Sequence, residues 1–550
     1  MTQQSNELLN TDKVDRLLTL VEEATRATRE TPRRFVEPAR GTLERAKSRR
    51  SHIVFGRRGS GKTSLLRKAE ADLTLKRIPT AFVDLEGFKK HEYPDVLLSI
   101  LIETLNAFDK WLATAGSAAS SKTSFWQRLW GGRPERSPLD RKKLEEVRKL
   151  LKSEVGALTQ LLHSEDDAAL VHQDDVTLST NSRRSSKQSD QAGLSIASSV
   201  AKVGASFESK ASSEQTDGQQ RKAALTETSK RNKLGFLHRK IIDFQKIFDA
   251  IVELSGSDAF IFLDDLYHLK VTVQADVLDY FHRIAKGRSA WLKVGSIRHR
   301  TDWYRHGNPP IGMKLGDDWD DIPLDITLEK YEIARRFLLE ILDQIIVSAE
   351  LGSHRELLAD GGIERLVLAS GGVARDFLTI FRKAIEVARE RGRTHRGERV
   401  NAEDVNVAAG EHDRTKRDEL RRDTQEEREQ LERALSVIQQ FCIQNSVNCF
   451  LVEQDAMGDN DATLLGELID LRFVHVAESR TTVREQPGKL YTAYMLDISQ
   501  YTGERLRREL AMIPFWKRSE LDRIRRSKYV LSLGLLQAGT DQMEALQPHS

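Results

Sequence analysis

The residues best suited to chemistry lie between positions 56 and 64. The chain runs Gly-Arg-Arg-Gly-Ser-Gly-Lys-Thr from Gly56 to Thr63, so three glycines precede a lysine and a hydroxyl group. Glycine permits tight turns in which successive backbone N–H groups point at one anion. The ammonium of Lys62 adds positive charge for terminal phosphates, and the hydroxyl of Thr63 is a suitable magnesium ligand. The segment is therefore predicted to bind Mg2+ and the phosphates of a nucleoside triphosphate.

The residues on either side indicate how this segment is held. An apolar run at 53–55 predicts a buried strand, and Leu65, Leu66 and Ala69 recur at helical spacing after the glycines. Strand, loop and helix in this order form a P-loop, in which the helix presents its positive N-terminal end to the anion. The alternative is a glycine-rich turn with a chance lysine. The predicted nucleotide-binding residues are Gly56, Arg57, Arg58, Gly59, Ser60, Gly61, Lys62, Thr63 and Ser64.

A second chemical feature is a pair of acids after an apolar run at 259–263. The run predicts a buried strand, which we expect beside the P-loop strand, with its end at the nucleotide. Asp264 is then placed to bind Mg2+ together with Thr63, and Asp265 to orient or deprotonate a water molecule. An ordinary buried strand with an acidic turn is the alternative interpretation.

Three further apolar runs, at 80–85, 291–298 and 322–326, complete a predicted parallel sheet in an α/β fold. The polar end of the 291–298 strand should face the γ-phosphate. Ser296 and Arg298 are the candidates there, with Arg300 and Arg305 beyond them. An arginine at this point can sense or stabilise the charge on the transferred phosphoryl group.

A glycine turn, Ser370-Gly-Gly-Val-Ala-Arg375, lies between two apolar helices that follow the sheet. The order of P-loop, acidic strand, polar-ended strand and helical lid resembles an AAA+ ATPase, most closely the origin-recognition initiator branch. The resemblance covers residues 40–410 without an insertion, and it implies that Arg375 is a second sensor of the γ-phosphate. At the end of the strand that corresponds to 291–298, initiators usually carry asparagine. Arg298 in this chain is closer to the arginine found there in STAND signalling ATPases. A plain surface arginine is the alternative interpretation of Arg375.

Composition sets broad limits on location and partners. The chain has 550 residues, a net charge of +3 and two cysteines, Cys442 and Cys449. The balanced charge means that any nucleic-acid surface must be local. The few cysteines suit a reducing compartment, and we find neither a signal peptide nor a run of 18 apolar residues. We therefore expect a cytoplasmic protein that makes no membrane contact.

The chain is predicted to hold several units. These are an N-terminal helical segment (1–40), an ATPase core (41–330), a helical lid (331–410), a charged linker or helix (411–430), a winged-helix-like domain (431–502) and a basic C-terminal tail (503–550). Residues 112–225 of the core are polar and predict a partly mobile insertion, which is either an arm for a protein partner or a plain loop.

Helices followed by a basic-tipped hairpin suggest the winged helix. Arg480, Arg484 and Lys489 would lie on the wing, a site for duplex DNA. The expected recognition helix is acidic, so a protein-binding winged helix is the alternative. The basic residues of the tail could supply the missing phosphate contacts. They are Arg505, Arg507, Arg508, Lys517, Arg518, Arg523, Arg525, Arg526 and Lys528.

Two main hypotheses of function follow. The first is a DNA-associated AAA+ ATPase acting in replication, mobile elements or DNA defence, and homo-oligomers are compatible with it. The second is a STAND-like signalling ATPase that recognises a protein, for example in phage defence. ATP is preferred to GTP because the sequence contains no Asn-Lys-x-Asp guanine motif. A small-molecule kinase is disfavoured because no acceptor-substrate domain is evident.

Overall fold

The computed structural model describes residues 9–26, 35–118, 139–185, 204–391, 398–420, 425–501 and 512–532. Its centre is a five-stranded parallel sheet in the order β2-β3-β4-β1-β7. The strands of this sheet are β1 (His52–Phe55), β2 (Thr80–Asp84), β3 (Ala259–Asp264), β4 (Ala290–Ser296) and β7 (Asp320–Pro323). A short hairpin of β5 (Tyr304–Arg305) and β6 (Ile311–Gly312) precedes β7. The predicted mixed α/β fold is confirmed.

Strand β3 shows why these strands lie in the middle of the fold. Ile261 and Leu263 belong to the apolar cluster on one face of the sheet, and Phe260 and Phe262 belong to the cluster on the other. Successive side chains of a strand point to opposite faces, so a continuous apolar run suits a strand covered on both sides. All six residues of β3 are buried.

One prediction about this sheet is wrong. We expected β3 directly beside the P-loop strand β1, but β4 lies between them and pairs with both. The strand that carries Asp264 is therefore separated from the P-loop strand by β4. Whether Asp264 can approach Thr63 depends on the size of the β4 side chain that lies between them.

The helices surround the sheet and continue beyond it. The first helix, α1 (Asp12–Ala24), packs against the lid. Those of the core are α2 (Thr42–Ala46), α3 (Lys62–Leu75), α4 (Asp95–Ala118), α5 (Arg141–Ser185), α6 (Gly204–Ser255) and α7 (Val271–Ala285). Those of the lid and beyond are α8 (Tyr331–Ser348), α9 (His354–Leu357), α10 (Asp360–Ala369), α11 (Ala374–Arg391), α12 (Ala402–Leu420) and α13 (Gln425–Gln444). No helix among the described residues is long and apolar enough to cross a membrane.

The insertion is more ordered than its composition suggests. Its described parts are the long helices α5 and α6, and Leu144, Val147, Leu151 and Leu158 of α5 are buried in the same apolar cluster as the inner face of α4. Arg148 of α5 also donates to a carboxylate of α4, with 2.6 Å between its Nε and Oδ1 of Asp109. The first part of α5 is therefore a core element, because an apolar stripe at heptad-like spacing buries a second helix.

The charged linker also differs from expectation. Helix α12 continues from the lid through residue 420, and His412 and Lys416 on it are buried. Charged residues are rarely buried unless they have partners, and Lys416 has one in Asp497, 3.0 Å away. This part of the chain fastens the lid to the C-terminal domain.

The C-terminal domain holds a three-stranded antiparallel sheet in the order β8-β10-β9. Its elements are β8 (Cys449–Glu453), α14 (Asp459–Asp470), β9 (Val474–Val483), β10 (Gln486–Leu496) and, further on, α15 (Arg518–Ile524). The hairpin β9-β10 is the predicted wing. A helix-turn-helix requires two helices, and residues 454–473, all described, contain α14 alone. The winged helix therefore stays a prediction.

The described part of the basic tail packs onto this domain. Ile513, Phe515, Ile524 and Leu531 are buried, and the N–H of Leu531 donates to the carbonyl of Leu451 over 2.8 Å. Arg505, Arg507 and Arg508 lie outside the described residues. Residues 512–532 thus belong to the folded domain, because their apolar side chains complete its core.

The packing of α5 predicts which part of the insertion can be removed. We expect a chain in which a short Gly/Ser linker replaces residues 165–227 to unfold cooperatively at a melting temperature close to that of the unaltered protein. Removing residues 117–224 should lower that temperature markedly, because the deletion exposes the face of α4 that contacts α5. Differential scanning calorimetry of the three proteins compares them. Equal stability of the two deletions would contradict a structural role for α5.

Candidate functional site

Backbone carbonyl groups of the P-loop bind the ammonium of its lysine. Gly59 and Gly61 adopt φ values of 83° and 97°, which lie in the left-handed region, and α3 begins at Lys62. The ammonium of Lys62 donates to the carbonyl oxygens of Gly56 and Arg57 over 2.7 and 3.2 Å. Burial lowers the pKa of Lys62, while the nearby Asp265 opposes that shift. A buried cation in this loop is a suitable partner for phosphate oxygens.

Asp264 reaches Thr63 across β4 through a gap left by a glycine. A Cβ atom at Gly295 of β4 would lie 2.4 Å from Oδ1 of Asp264, closer than any side chain tolerates. The side chain of Thr63 lies close enough to the carboxylate of Asp264 to lower its pKa. The two residues predicted to bind Mg2+ are therefore in contact, although their strands are not neighbours.

The environment of Asp264 is suited to a cation. Burial and the adjacent charge of Asp265 raise the pKa of Asp264 from 3.8 to about 7, although the side chain of Thr63 and the charge of Lys62 act in the opposite direction. A buried carboxylate is costly in its ionised form, so a divalent cation bound to it would be strongly favoured.

Asp265 occupies a conformation unusual for a residue with a side chain. Its φ is 59°, and its N–H donates to Oδ1 of Asp264 over 3.0 Å. Burial raises the pKa of Asp265, and Lys62 is the main charge that opposes this. Backbone strain of this kind often marks functional sites. The side chain lines the cavity described next, where a water molecule could reach it.

These groups surround one cavity of about 1330 Å3 between the P-loop, the lid and α1. Its polar lining includes the loop, Asp265, Tyr267, His268, Arg375 and, on α1, Glu22 and Glu23. Its apolar lining includes Phe35, Val36, Pro38, Leu65, Leu324, Phe337, Ile341, Ile345 and Leu378. A cavity lined by both charged and apolar groups fits a ligand that carries phosphates and a flat base.

The lid places Arg375 at the P-loop, as the resemblance to AAA+ proteins implies. Its N–H approaches the carbonyl of Gly59 at 3.4 Å, and its Nε donates to the carbonyl of Thr25 at the end of α1 over 3.2 Å. The side chain is exposed within the cavity lining. Its position is compatible with a phosphate sensor, and its role stays a prediction.

The arginines after β4 are placed differently. Arg298 is outside the cavity lining that the described residues form; it pairs with Asp321 and stacks on Phe55, with its Cζ 4.4 Å from the ring centroid. Ser296 is buried and bonded to Thr301. Arg300 pairs with Glu467 of α14, and Arg305 pairs with Asp276 and Asp302. None of the four faces the cavity in this conformation, because the chain turns away from the P-loop after Ser296.

Two predicted nucleotide-binding residues lie behind the loop instead of in the cavity. Arg57 is buried, its N–H donates to Oδ1 of Asp325 over 2.9 Å, and its guanidinium donates to the carbonyl of Gly371 over 3.1 Å. Gly56 directs its carbonyl to Lys62. Arg57 connects the loop to the lid, whereas Arg58, Gly59, Ser60, Gly61, Lys62, Thr63 and Ser64 line the cavity.

The donor set fits magnesium held jointly by protein, phosphate and water. No group of three or more His, Cys, Asp or Glu side chains that could hold a metal occurs in the described ranges. Mg2+ usually takes one or two protein ligands and completes its shell with phosphate and water, so Thr63 and Asp264 suffice. The buried hydroxyl of Ser60 has no hydrogen-bond partner and lies in the cavity lining, where an anion would satisfy it.

Sequence reasoning missed three contributors to this site. Gly295 was passed over, although a glycine inside an apolar strand can mark a close approach. Tyr267 and His268 follow the two acids without any recognisable pattern, yet the ring of Tyr267 lies 5.4 Å from the ammonium of Lys62. Their place in the site depends on the turn after β3.

The raised pKa of Asp264 predicts a pH-dependent stability. The folded-state pKa of about 7 exceeds the ordinary value of 3.8, so this group favours folding at pH 4 and loses that contribution as the pH rises through 7. Asp264→Asn should therefore gain stability relative to the unaltered protein between pH 5 and pH 8.5, by a few kcal/mol at most. Urea unfolding in EDTA measures this difference. A difference that does not change with pH would contradict the assignment.

Comparison with known proteins gives structural likeness alone. No model of a protein family matches the sequence, and no curated protein matches it either. Among solved structures, the chain is similar to the Aeropyrum pernix Orc1 protein in complex with DNA, with 12% identity, a TM-score of 0.30 and coverage of 92% of this chain and 96% of that chain. It is also similar to Drosophila ORC bound to DNA, with 12% identity, a TM-score of 0.31 and coverage of 88% and 90%.

Proposed function

We propose that this protein is a molecular switch that binds and hydrolyses ATP. The observation that carries the proposal is the convergence of Lys62, Thr63, Asp265 and Arg375 on one cavity, with Asp264 buried next to Thr63, although these residues come from three separate parts of the chain. Phosphoryl transfer depends mainly on positioning and on stabilisation of charge, and these residues are of the types that supply both.

The residues have distinct roles in this proposal. Lys62 and the backbone N–H groups of the loop bind the phosphates, and Arg375 approaches the γ-phosphate from the lid. Thr63 and Asp264 would hold Mg2+, which when bound neutralises charge on the phosphate oxygens. Asp265 orients the attacking water and accepts its proton, since its raised pKa makes it a stronger base than an exposed carboxylate.

Substitutions at the site should separate binding from hydrolysis. Lys62→Ala should abolish ATP binding, because it removes the charge aimed at the β- and γ-phosphates. Asp265→Asn should retain binding and lose hydrolysis, because an amide cannot accept the proton. Isothermal titration with ATP and a phosphate-release assay measure the two properties. Undiminished hydrolysis by the Asp265 variant would remove that residue from the mechanism.

Arg298→Ala is the matched control for Arg375→Ala. Both substitutions remove an arginine that sequence analysis assigned to the γ-phosphate, yet Arg375 alone of the two lines the cavity. We expect hydrolysis to fall at least tenfold for Arg375→Ala, since one charge-stabilising arginine contributes about that much or more. Arg298→Ala should have little effect. An equal loss for both would mean that Arg298 moves to the nucleotide after binding.

The partner in this proposal is duplex DNA, bound by the C-terminal domain. Arg480 and Arg484 are exposed on the hairpin β9-β10, and Arg526 and Lys528 are exposed on the segment packed against it. The N–H of Arg484 donates to the carbonyl of Arg525 over 3.2 Å, so hairpin and segment form one surface. Exposed cations on a hairpin and a loop suit contacts to DNA phosphates better than contacts to bases.

The acidic helix α14 has a different role. Glu467 accepts from Arg300 at 2.9 Å, and Asp470 lies 3.2 Å from His299, so α14 is docked on the ATPase core through its acids. This contact supports the second candidate function, a signalling ATPase in which a protein partner competes for the docked C-terminal domain.

DNA binding through the hairpin should be phosphate-dominated. We expect the affinity of the full chain for unrelated duplexes to fall steeply with salt and to show weak sequence preference. The double variant Arg480→Glu/Arg484→Glu should bind more weakly and with a shallower salt slope. Lys149→Glu/Lys152→Glu on the exposed face of α5 is the control with the same change in charge.

Fluorescence anisotropy over a salt series, with and without ATP, tests this expectation. Equal losses in the hairpin variant and the control would mean that the hairpin is not the DNA surface. An absence of binding at low salt under every condition would favour the protein-recognition function.

A further inference from the structure

An arginine of the C-terminal domain reaches the P-loop. Arg472 lies between α14 and β9, is buried, and has a φ of 63°. Its Nη1 donates to the carbonyl of Arg58 over 3.3 Å, and its Nε lies 3.2 Å from Oδ2 of Asp376. Asp376 directly follows Arg375 in the lid. One guanidinium therefore contacts the phosphate loop and the lid at the same time.

Further buried charges fix Arg472 in place. Lys416 of α12 donates to the carbonyl of Arg472 over 3.0 Å and lies 3.0 Å from Asp497, which in turn accepts from His475 at 2.7 Å. Burial alone would raise the pKa of Asp376, but the charges of Arg472 and His412 hold that pKa well below its usual range. Buried ion pairs of this kind are sensitive to the loss of one partner, so the arrangement is specific.

The lid itself is fitted to this domain. A Cβ atom at Gly371 would lie 2.0 Å from Cε1 of His475, so the glycine turn of the lid leaves room for that ring. The carbonyl of the same glycine accepts from Arg57 of the P-loop. P-loop, lid and C-terminal domain thus meet at one junction, formed by Arg57, Gly371, Asp376, Arg472 and His475.

The contact at Arg58 has a direct consequence for phosphate binding. In a trans peptide the C=O and the following N–H point in opposite directions. Arg472 binds the Arg58 carbonyl from outside the cavity lining, so we expect the N–H of Gly59 to be aimed the other way, toward the phosphates. We infer that Arg472 is a positioning residue, through which the docked C-terminal domain sets the P-loop for ATP. This inference rests on the proposed function.

Docking and nucleotide binding are then coupled in both directions. A partner that draws the C-terminal domain away from the core lowers the affinity for ATP, and ATP strengthens docking by the same factor. This contact gives the partner-binding domain a physical route to the nucleotide, because Arg472 touches the P-loop directly.

A pair of neutralised variants isolates the contact. Asp376→Asn removes the ion pair and leaves Arg472 able to bond the Arg58 carbonyl. Asp376→Asn/Arg472→Met also removes that bond, without leaving an unpaired buried carboxylate. We expect the affinity for a fluorescent ATP analogue to be about tenfold lower in the double variant than in Asp376→Asn, since a hydrogen bond from a charged group has about this effect. KM should rise with kcat little changed, because the loop is set before chemistry.

Several outcomes distinguish the possibilities. If the unaltered protein does not bind ATP, the proposed function fails. If the two variants bind ATP equally well and differ only in melting temperature, Arg472 is structural and the inference is overturned, while the proposed function stands.

A second variant keeps the test decisive if the double variant does not fold. Arg300→Gln/Glu467→Gln loosens the docked domain at a site that does not touch the loop, and both positions are only partly buried. We expect reduced ATP affinity and faster hydrogen exchange of the P-loop amides in this variant. Looser docking, seen as faster exchange in α14, with unchanged ATP affinity and P-loop exchange would overturn the inference.

Discussion

The approach of the Asp264 carboxylate to the side chain of Thr63 is the constraint on which the rest of the site depends. It joins the end of β3 to the start of α3 across an intervening strand, and it exists because Gly295 has no side chain. A buried carboxylate is unfavourable without a charged partner, so the surrounding residues must supply one. Lys62 is one such partner, because its charge lowers the pKa of Asp264.

Packing on both faces of the sheet and contacts of the lid hold this site in place. The apolar clusters on the two faces of the sheet hold β3 and β4 in register, and the lid lines the cavity through Ala374, Arg375 and Leu378. The lid is in turn packed into one apolar cluster with α1 and the C-terminal domain. A change in the position of that domain therefore has a short path to the P-loop, through packed side chains with defined partners.

Charge pairing between domains explains several features that composition leaves unclear. The acids that make the expected recognition helix α14 acidic are paired with His299 and Arg300 of the core. Charged residues of the supposed linker are buried, and Lys416 is paired with Asp497. Both patterns have the same cause, because charges inside a domain interface require opposite partners that come from distant parts of the sequence.

The sequence by itself determined the P-loop, the strands that surround it and the acids at Asp264 and Asp265, since these depend on local patterns of glycine, apolar residues and charge. It also placed Arg375 at the start of a lid helix. The tertiary structure decided that β4 separates β1 from β3, that Arg298 turns away to Asp321, that α5 belongs to the core and that Arg472 contacts the loop. Strand order, domain docking and buried ion pairs arise from contacts between residues far apart in the chain, and no local pattern encodes which partners meet.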